Sequence, residues 1–143
     1  MAEYPLPVFH FQVEWGGAKL SFSEVSGLVL ETQMIEYRDG LSKQFHTVKM
    51  PGIQKTSTIS MKRGIFKGDN EFYTWWNTVK LNTIERRDLT ISLLNEKNEP
   101  SMVWKVSSAW PTKITGPTLN ANGNEVAIET IEIVHEGLTV EAA

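Results

Sequence analysis

The chain contains no cysteine among its 143 residues. Disulfide frameworks, thiolate metal sites, iron–sulfur clusters and cysteine nucleophiles are therefore excluded. The chain also lacks a strong excess of either charge, because 14 basic and 17 acidic residues give a formal net charge of −3. A domain that binds nucleic acid by neutralising phosphates normally carries a basic surface. We expect no sequence-specific nucleic-acid binding.

Long hydrophobic runs and targeting segments are missing too. No stretch approaches the ~18 uncharged apolar residues of a membrane-spanning helix. Residues 1–7 lack the basic and apolar regions of a signal peptide. We therefore expect no membrane insertion of the chain, and we expect it to fold in the cytoplasm. The length is that of about one domain with one sizeable core, so the sequence predicts a single domain over residues 1–143.

Motifs for catalysis and for cofactors are absent as well. The sequence has neither a glycine-rich phosphate loop nor a serine nucleophile elbow. The three histidines lie on separate predicted elements without local ligand spacing: His10, His46 and His135. The charged residues 85–88 and the basic group Lys62, Arg63 and Lys67 fit a solvated surface better than an acid–base or phosphate site. We expect no catalytic residue, no metal and no cofactor.

Alternation of apolar and polar residues is the main pattern that the sequence does contain. In residues 8–15 it predicts a strand whose core face carries Phe9, Phe11, Val13 and Trp15. Gly16 and Gly17 predict a tight turn into a short strand over residues 18–22. A turn-rich link precedes a long strand over residues 28–38, whose polar interruptions leave its register open. The first strands thus occupy residues 8–38.

Residues 39–55 show weak periodicity and contain the turn residues Asp39, Gly40, Pro51 and Gly52. We interpret them as an extended loop with at most one short strand near residues 45–49. Loops of this length in compact domains are usually functional. Clean alternation returns in a strand over residues 56–63. Its core side carries Ser57, Ile59 and Met61, and its polar side carries Thr58, Ser60 and Lys62.

One helix is predicted over residues 69–82, with Asp69 or Asn70 as its N-cap. Its apolar face is formed at helical spacing by Phe72, Trp75, Trp76 and Val79. The remaining strands occupy residues 88–136, with a loop that begins at Pro111, and residues 137–143 form a tail. The five tryptophans could line a sugar or base platform, but their positions on apolar faces favour the core.

About seven strands and one packed helix predict a mainly β fold, a small β-barrel or sandwich. Several strand faces carry only Thr, Ser, Glu, Gln and Lys, and such faces meet water. The edges of a sheet of this kind must be blocked, or closed by identical neighbours.

Motifs along nearly the whole chain add a family resemblance. They are FHFQVEW at 9–15, FSEVSGL at 22–28, EYRDG at 36–40, MPG at 50–52, ISMKRG at 59–64, WW at 75–76, WPTK at 110–113, NEVAIE at 124–129 and VHEGL at 134–138. In order, spacing and total length the chain resembles the tail tube proteins of contractile phage tails and related contractile injection systems. These proteins share their fold with the haemolysin-coregulated tube protein of type VI secretion.

The resemblance implies a structural protein rather than an enzyme. Homo-hexameric rings would stack into a tube inside a contractile sheath, with subunits joined into a ring-wide inner β-barrel. The lumen would conduct cargo, either DNA or effector proteins, when the sheath contracts. Sheath, baseplate and terminator proteins would be the other partners. The particle would assemble in the bacterial cytoplasm and become a virion tail or an extracellular or cell-anchored injection device. A secreted type VI tube protein and a monomeric ligand-binding β-barrel remain alternatives.

Two sets of site residues follow from this resemblance together with the strand pattern. The lumen-facing set is Thr58, Ser60, Lys62, Glu31 and Gln33. The ring-to-ring contact loop is Tyr37, Arg38, Asp39, Gly40, Lys43, Met50, Pro51, Gly52 and Lys55. The N-terminal arm, residues 2–7, and the tail, residues 137–143, are expected to join those ring-to-ring contacts.

Overall fold

A computed structural model describes residues 5–15, 18–20, 22–41, 47–78 and 84–142. These residues form ten strands and one helix, which confirms the predicted mainly β class but exceeds the predicted number of strands. The elements are β1 (Phe11–Trp15), β2 (Ala18–Leu20), β3 (Glu24–Ser26), β4 (Leu30–Tyr37), β5 (Val48–Thr56), β6 (Ile59–Gly64), α1 (Glu71–Trp76), β7 (Arg87–Leu94), β8 (Pro100–Thr115), β9 (Ile128–Val134) and β10 (Gly137–Ala142).

Strand β8 belongs to two sheets. Its first half pairs with β7 and β10 in a first sheet that also contains β1 and β2. Its second half pairs with β9, and the second sheet continues through β6 to β3. The two halves meet near Ser108, which has a positive φ of 52° and donates its backbone N–H to Asp88 Oδ1 at 2.9 Å. One continuous strand therefore joins the two sheets.

The core lies between the two sheets, because alternating side chains of both point inward. Fully or almost fully buried members include Val13 and Trp15 of β1, Leu89 and Ile91 of β7, Ile59 and Met61 of β6, and Ile131 and Ile133 of β9. Trp15 stacks on Phe72 of α1, with ring centroids 5.5 Å apart, and meets Trp75 edge-on at 4.4 Å. This aromatic cluster fixes the helix against the sheets.

Helix α1 is shorter in the structure than the predicted residues 69–82. Asn70 occupies the N-cap position without a side-chain capping bond, and Asp69 Oδ1 instead accepts the Glu71 N–H at 3.2 Å. Phe72 and Trp75 are buried as predicted, whereas Trp76 is 37% exposed, so its placement in the core is wrong. Val79 lies outside the described residues.

The predicted loop over residues 39–55 is wrong for its second half, which is strand β5 paired with β4 in a separate two-stranded sheet. The register shifts between Thr32 and Met34, and this irregularity accommodates Pro51 and Gly52 within a strand. A Cβ at Gly52 would lie 2.9 Å from the Gln33 carbonyl oxygen. Because turn residues lie at this bulge, the sequence pattern did not predict β5 as a strand.

The predicted C-terminal tail is also wrong, since residues 137–142 form β10 on β8, with Leu138 buried. The chain continues from β9 into β10 in the same direction along β8, and between them the Glu136 N–H donates to the Ser107 carbonyl. Residues 111–115 likewise belong to β8 rather than to a loop, and Pro111 is fully buried. At the other end, Phe9 precedes β1 and is 81% exposed, so its assignment to the core is wrong.

Matched substitutions at adjacent positions of β6 test the alternation. Ile59 is fully buried, whereas Ser60 lies on the opposite side of the strand. Ile59→Asn removes core contacts and buries an unpaired amide, so we expect it to lower the free energy of unfolding by about 3 kcal/mol or more. Ser60→Asn should stay within about 0.5 kcal/mol of the wild type. Urea denaturation measures both, and equal losses would contradict the assignment of faces.

Candidate functional site

The side of the second sheet that points away from the core is polar, and we name it the polar face. It alternates with the buried side of the same strands, because Ile59, Met61 and Arg63 point inward while Ser60 and Lys62 point outward. The structure therefore places two of the predicted lumen residues together on one face. Thr58 directly precedes β6 and is exposed.

Cross-strand register arranges the polar face in two rows. The first row contains Ser26, Ser60, Glu132 and Lys113, and the second contains Glu24, Lys62, Thr130 and Thr115. Each row thus holds one lysine, one glutamate and two hydroxyl side chains. Lys62 Nζ lies 3.4 Å from Glu24 Oε2. Half-buried Trp110 and Val134 form the next cross-strand pair on this face.

Glu24, Lys113, Thr130 and Glu132 were not among the predicted site residues. Their signal is weak in sequence, because the short β3 resembles a link and a bulge between Pro111 and Lys113 breaks the alternation of β8. The alternation of β9 alone could have identified Thr130 and Glu132, since Ile131 and Ile133 flank the latter.

A buried arginine lies behind the polar face. Arg63 is 3% exposed, and its guanidinium donates to Glu129 Oε1 at 2.8 Å and to both carboxylate oxygens of Asp69 at 3.0 and 3.1 Å. The same group lies 4.4 Å from the ring centroid of Phe72. The cluster therefore ties β6 and β9 to the segment that begins α1. The guanidinium of Arg63 is therefore buried among its carboxylate partners and is not on the surface with Lys62 and Lys67.

Both edges of the second sheet are open in the described part of the chain. Strand β3 pairs only with β6, and residues 110–115 of β8 pair only with β9. Ser23 N–H donates to the Lys62 carbonyl at 2.8 Å. The Ile65 N–H donates to the Ala127 carbonyl in the register of β6 with β9, so the even-numbered residues Ser60 and Lys62 direct their backbone groups to β3. Glu24 and Ser26 are their hydrogen-bonded partners, so the N–H and carbonyl of Val25 point to the open edge.

The β4–β5 hairpin forms a second candidate surface. Every residue of β4 is exposed, and in β5 only Gly52 is partly covered. One side carries an apolar group that we name the hairpin apolar face: Ile35, Tyr37, Val48 and Met50, which are 43–59% exposed. Ile35 pairs with Met50, and Tyr37 pairs with Val48. A two-stranded hairpin is marginal in water, so this surface is suited to contact another molecule.

Most of the predicted ring-contact residues lie on or beside the hairpin. Arg38, Asp39 and Gly40 follow β4, and Asp39 Oδ1 accepts the Leu41 N–H at 2.9 Å. Lys43 lies outside the described residues. Glu31 and Gln33 also belong to β4, so the structure does not bring them to the polar face with Ser60 and Lys62.

Two other kinds of site can be considered within the described ranges. No three histidine, aspartate or glutamate side chains there are grouped to hold a metal ion. Among the same residues, no helix combines the length and hydropathy that crossing a membrane requires.

Comparisons with known proteins add to this geometry. Residues 7–139 match the family model of the T4-like virus tail tube protein gp19. The chain belongs to this tail tube family. No curated protein gives a significant match.

Solved structures agree with the family assignment. The tail tube chain is similar to a chain of the extended sheath–tube complex of PVC, an extracellular contractile injection system. The two share 39% identity over 99% of this chain and 94% of that chain, with a TM-score of 0.92. A chain of the tube-terminating cap of the anti-feeding prophage, AFP, shows 37% identity over 100% of this chain and 95% of that chain, with a TM-score of 0.94. Hcp1 from Flavobacterium johnsoniae, at 16% identity over 94% and 97% of the two chains and a TM-score of 0.62, shares the fold.

The Arg63 cluster predicts a defined dependence on pH. Burial raises the pKa of Asp69, but hydrogen bonds from the Glu71 amide and Arg63, together with the charge of Arg63, hold that pKa below its ordinary value of 3.8. The ion pair therefore stabilises the fold above the pKa of Asp69 in the unfolded chain, and this contribution is lost as pH falls through the lowered pKa of the folded state.

We expect Asp69→Asn to be less stable than the wild type at neutral pH, with the difference closing below about pH 3.8. Urea denaturation at several pH values measures the difference. Glu96→Gln, in the exposed turn between β7 and β8, serves as the charge-matched control and should show no such closing gap. A constant difference between Asp69→Asn and wild type at all pH values would contradict the proposed ion pair.

Proposed function

We propose that this tail tube protein is the inner tube subunit of a contractile tail or contractile injection system. Its sixfold rings stack into a tube whose lumen conducts cargo when the sheath contracts. The observation that carries the proposal is the polar face of a four-stranded sheet bounded by two open edges. Family membership and the likeness to a chain of the PVC sheath–tube complex support it.

The two open edges suggest how a ring would close. The edge of β3 in one subunit pairs with the edge of β8 in the next, in a head-to-tail contact that repeats around the ring. Closure supplies partners to N–H and carbonyl groups that would otherwise remain exposed, and it produces one continuous barrel. A free subunit with these edges would be prone to mispairing, so closure also protects the sheet.

The polar face then lines the lumen. Its hydroxyl and charged side chains are compatible with a water-filled channel, whereas the buried side of the same strands supplies the core. Thr58, Ser60 and Lys62 are the lumen residues expected from sequence. Glu31 and Gln33 are proposed to continue the lumen wall at the junction between rings, near the base of the hairpin.

The hairpin is proposed to make the contact between stacked rings. Its apolar face has no partner of comparable size in the described part of the subunit, and burying it against the next ring would remove this surface from water. Eight of the predicted contact residues lie on or next to this element: Tyr37, Arg38, Asp39, Gly40, Met50, Pro51, Gly52 and Lys55. Lys43 stays a prediction. The N-terminal arm and the strand β10 at the C-terminus are proposed to contribute at the ring faces.

The proposed role is structural and requires no catalysis. The similar chains come from a sheath–tube complex and a tube-terminating cap, so we propose a sheath protein and a terminator as partners. A baseplate and luminal cargo complete the set expected of a tail tube protein. The neighbouring PVC particle is extracellular, and we propose that this chain assembles in the bacterial cytoplasm before acting in a virion tail or an injection particle.

Ring closure is tested at the open edge of β3. Val25→Pro removes the N–H that points away from β6 and leaves the bonds of Glu24 and Ser26 to β6 in place. We expect a folded subunit, judged by circular dichroism, that forms no rings in analytical ultracentrifugation or negative-stain microscopy. Val25→Ala keeps the N–H and should assemble as the wild type does. Rings formed by Val25→Pro, or a wild type that stays monomeric at high concentration beside baseplate components, would refute the proposed closure.

Ring stacking is tested on the hairpin. We expect the double variant Ile35→Lys, Met50→Lys to retain the melting temperature of the free subunit, because both residues lie outside the core. Its rings should fail to stack, since two charges would replace the centre of the hairpin apolar face. The matched control, Thr32→Lys with Gln54→Lys, places the same charges on the other side of the hairpin. Tubes of normal length from the first variant would count against the proposed contact.

A further inference from the structure

Charge on the polar face is arranged in directly opposed pairs. Lys62 of β6 stands opposite Glu24 of β3, and Lys113 of β8 stands opposite Glu132 of β9. The remaining positions of the two rows carry serine or threonine. Each lysine on the two rows therefore has one glutamate on the adjacent strand, and the rows carry no net charge.

This pairing matters most once the face is enclosed. In a closed channel the fields of repeated charges add, because the low-dielectric wall focuses them toward the lumen. Cβ atoms of directly opposed residues are about 4.5–5.5 Å apart. That spacing is shorter than the Debye length of about 8 Å at physiological ionic strength. The register thus places a residue of opposite charge beside each lysine, closer than the distance over which mobile ions screen a charge.

Stability of the fold does not explain the glutamates. Lys62 and Glu24 side chains are 45% and 57% exposed, and ion pairs this exposed contribute little to folding. Serine or threonine in place of Glu24 in the edge strand β3, and in place of Glu132 in the central strand β9, would also be compatible with this sheet. Removing the glutamates, in contrast, would leave two uncompensated lysines per subunit on the same surface.

We propose that Glu24 and Glu132 are specificity-determining residues that keep the lumen electrostatically passive. Soluble polypeptides of either net charge would then move along the wall without being bound by it. This inference rests on the proposed tube function and names a property of the same surface. It implies that the wall, as built, has no affinity for a polyanion, and binding of a nucleic acid by the wild type is the outcome that would oppose it.

The test compares three proteins assembled into rings or tubes. The first is the wild type, and the second is the double variant Glu24→Gln, Glu132→Gln. The third is the matched control Glu14→Gln, Glu141→Gln, which removes the same charge from the outward side of the first sheet. There Glu14 pairs with Thr90, and Glu141 contacts Lys105 at 3.1 Å. The probes are fluorescein-labelled oligo-aspartate, oligo-lysine and single-stranded DNA, and fluorescence anisotropy measures their binding.

We expect weak binding of all three probes to the wild type. The variant that lacks Glu24 and Glu132 should bind oligo-aspartate and DNA at least about tenfold more tightly at low salt, and the gain should disappear at high salt. The matched control should change by no more than about twofold. If the double variant does not assemble, Glu132→Gln alone is compared with Glu14→Gln alone under the same conditions.

Two results would overturn the inference. One is tight binding of oligo-aspartate or DNA by wild-type tubes, and the other is an equal gain in the matched control. Both require that rings or tubes have formed. Absence of assemblies in the wild-type sample would instead refute the proposed tube function, so the two failures are distinguishable.

Discussion

The rest of the structure depends on the continuity of β8 through both sheets. Its first half is hydrogen-bonded to β7 and β10, and its second half to β9. Where the two halves meet, Ser108 has a positive φ and its backbone N–H donates to the carboxylate of Asp88. Because one strand carries both registers, the orientation of the first sheet fixes that of the second. The core side and the polar face of β6 and β9 are set by the same backbone bonds.

Period-two alternation was sufficient to predict much of this arrangement. It assigned Ile59 and Met61 to the core and Ser60 and Lys62 to the opposite side. A strand that packs on one face has apolar and polar residues in alternation, and this pattern is visible in the sequence. The hairpin shows no such alternation, because neither of its sides is buried in the subunit and because Pro51 and Gly52 lie within a bulge. Strand β10 was missed because Gly137 begins it and Leu138 is its one buried apolar side chain.

Composition and alternation could indicate a polar sheet, but they could not say what that sheet faces. The tail tube family was inferred from the order of motifs along the chain, and the match to that family over residues 7–139 confirms it. The pairing of Glu24 with Lys62 and of Glu132 with Lys113 needed the register of four strands. The four residues of these pairs lie on four separate strands, so no local window of sequence contains them.

The exposed hairpin apolar face also has a consequence for the life of the subunit before assembly. This exposed apolar surface favours association with other apolar surfaces, and the open edges of β3 and β8 allow non-native pairing with strands of other chains. A cell that accumulated free subunits would therefore lose them to aggregates or to proteases. In the proposed tube, subunits therefore have to be synthesised at about the rate at which the growing end incorporates them. The rate of subunit synthesis then limits how long a particle can become.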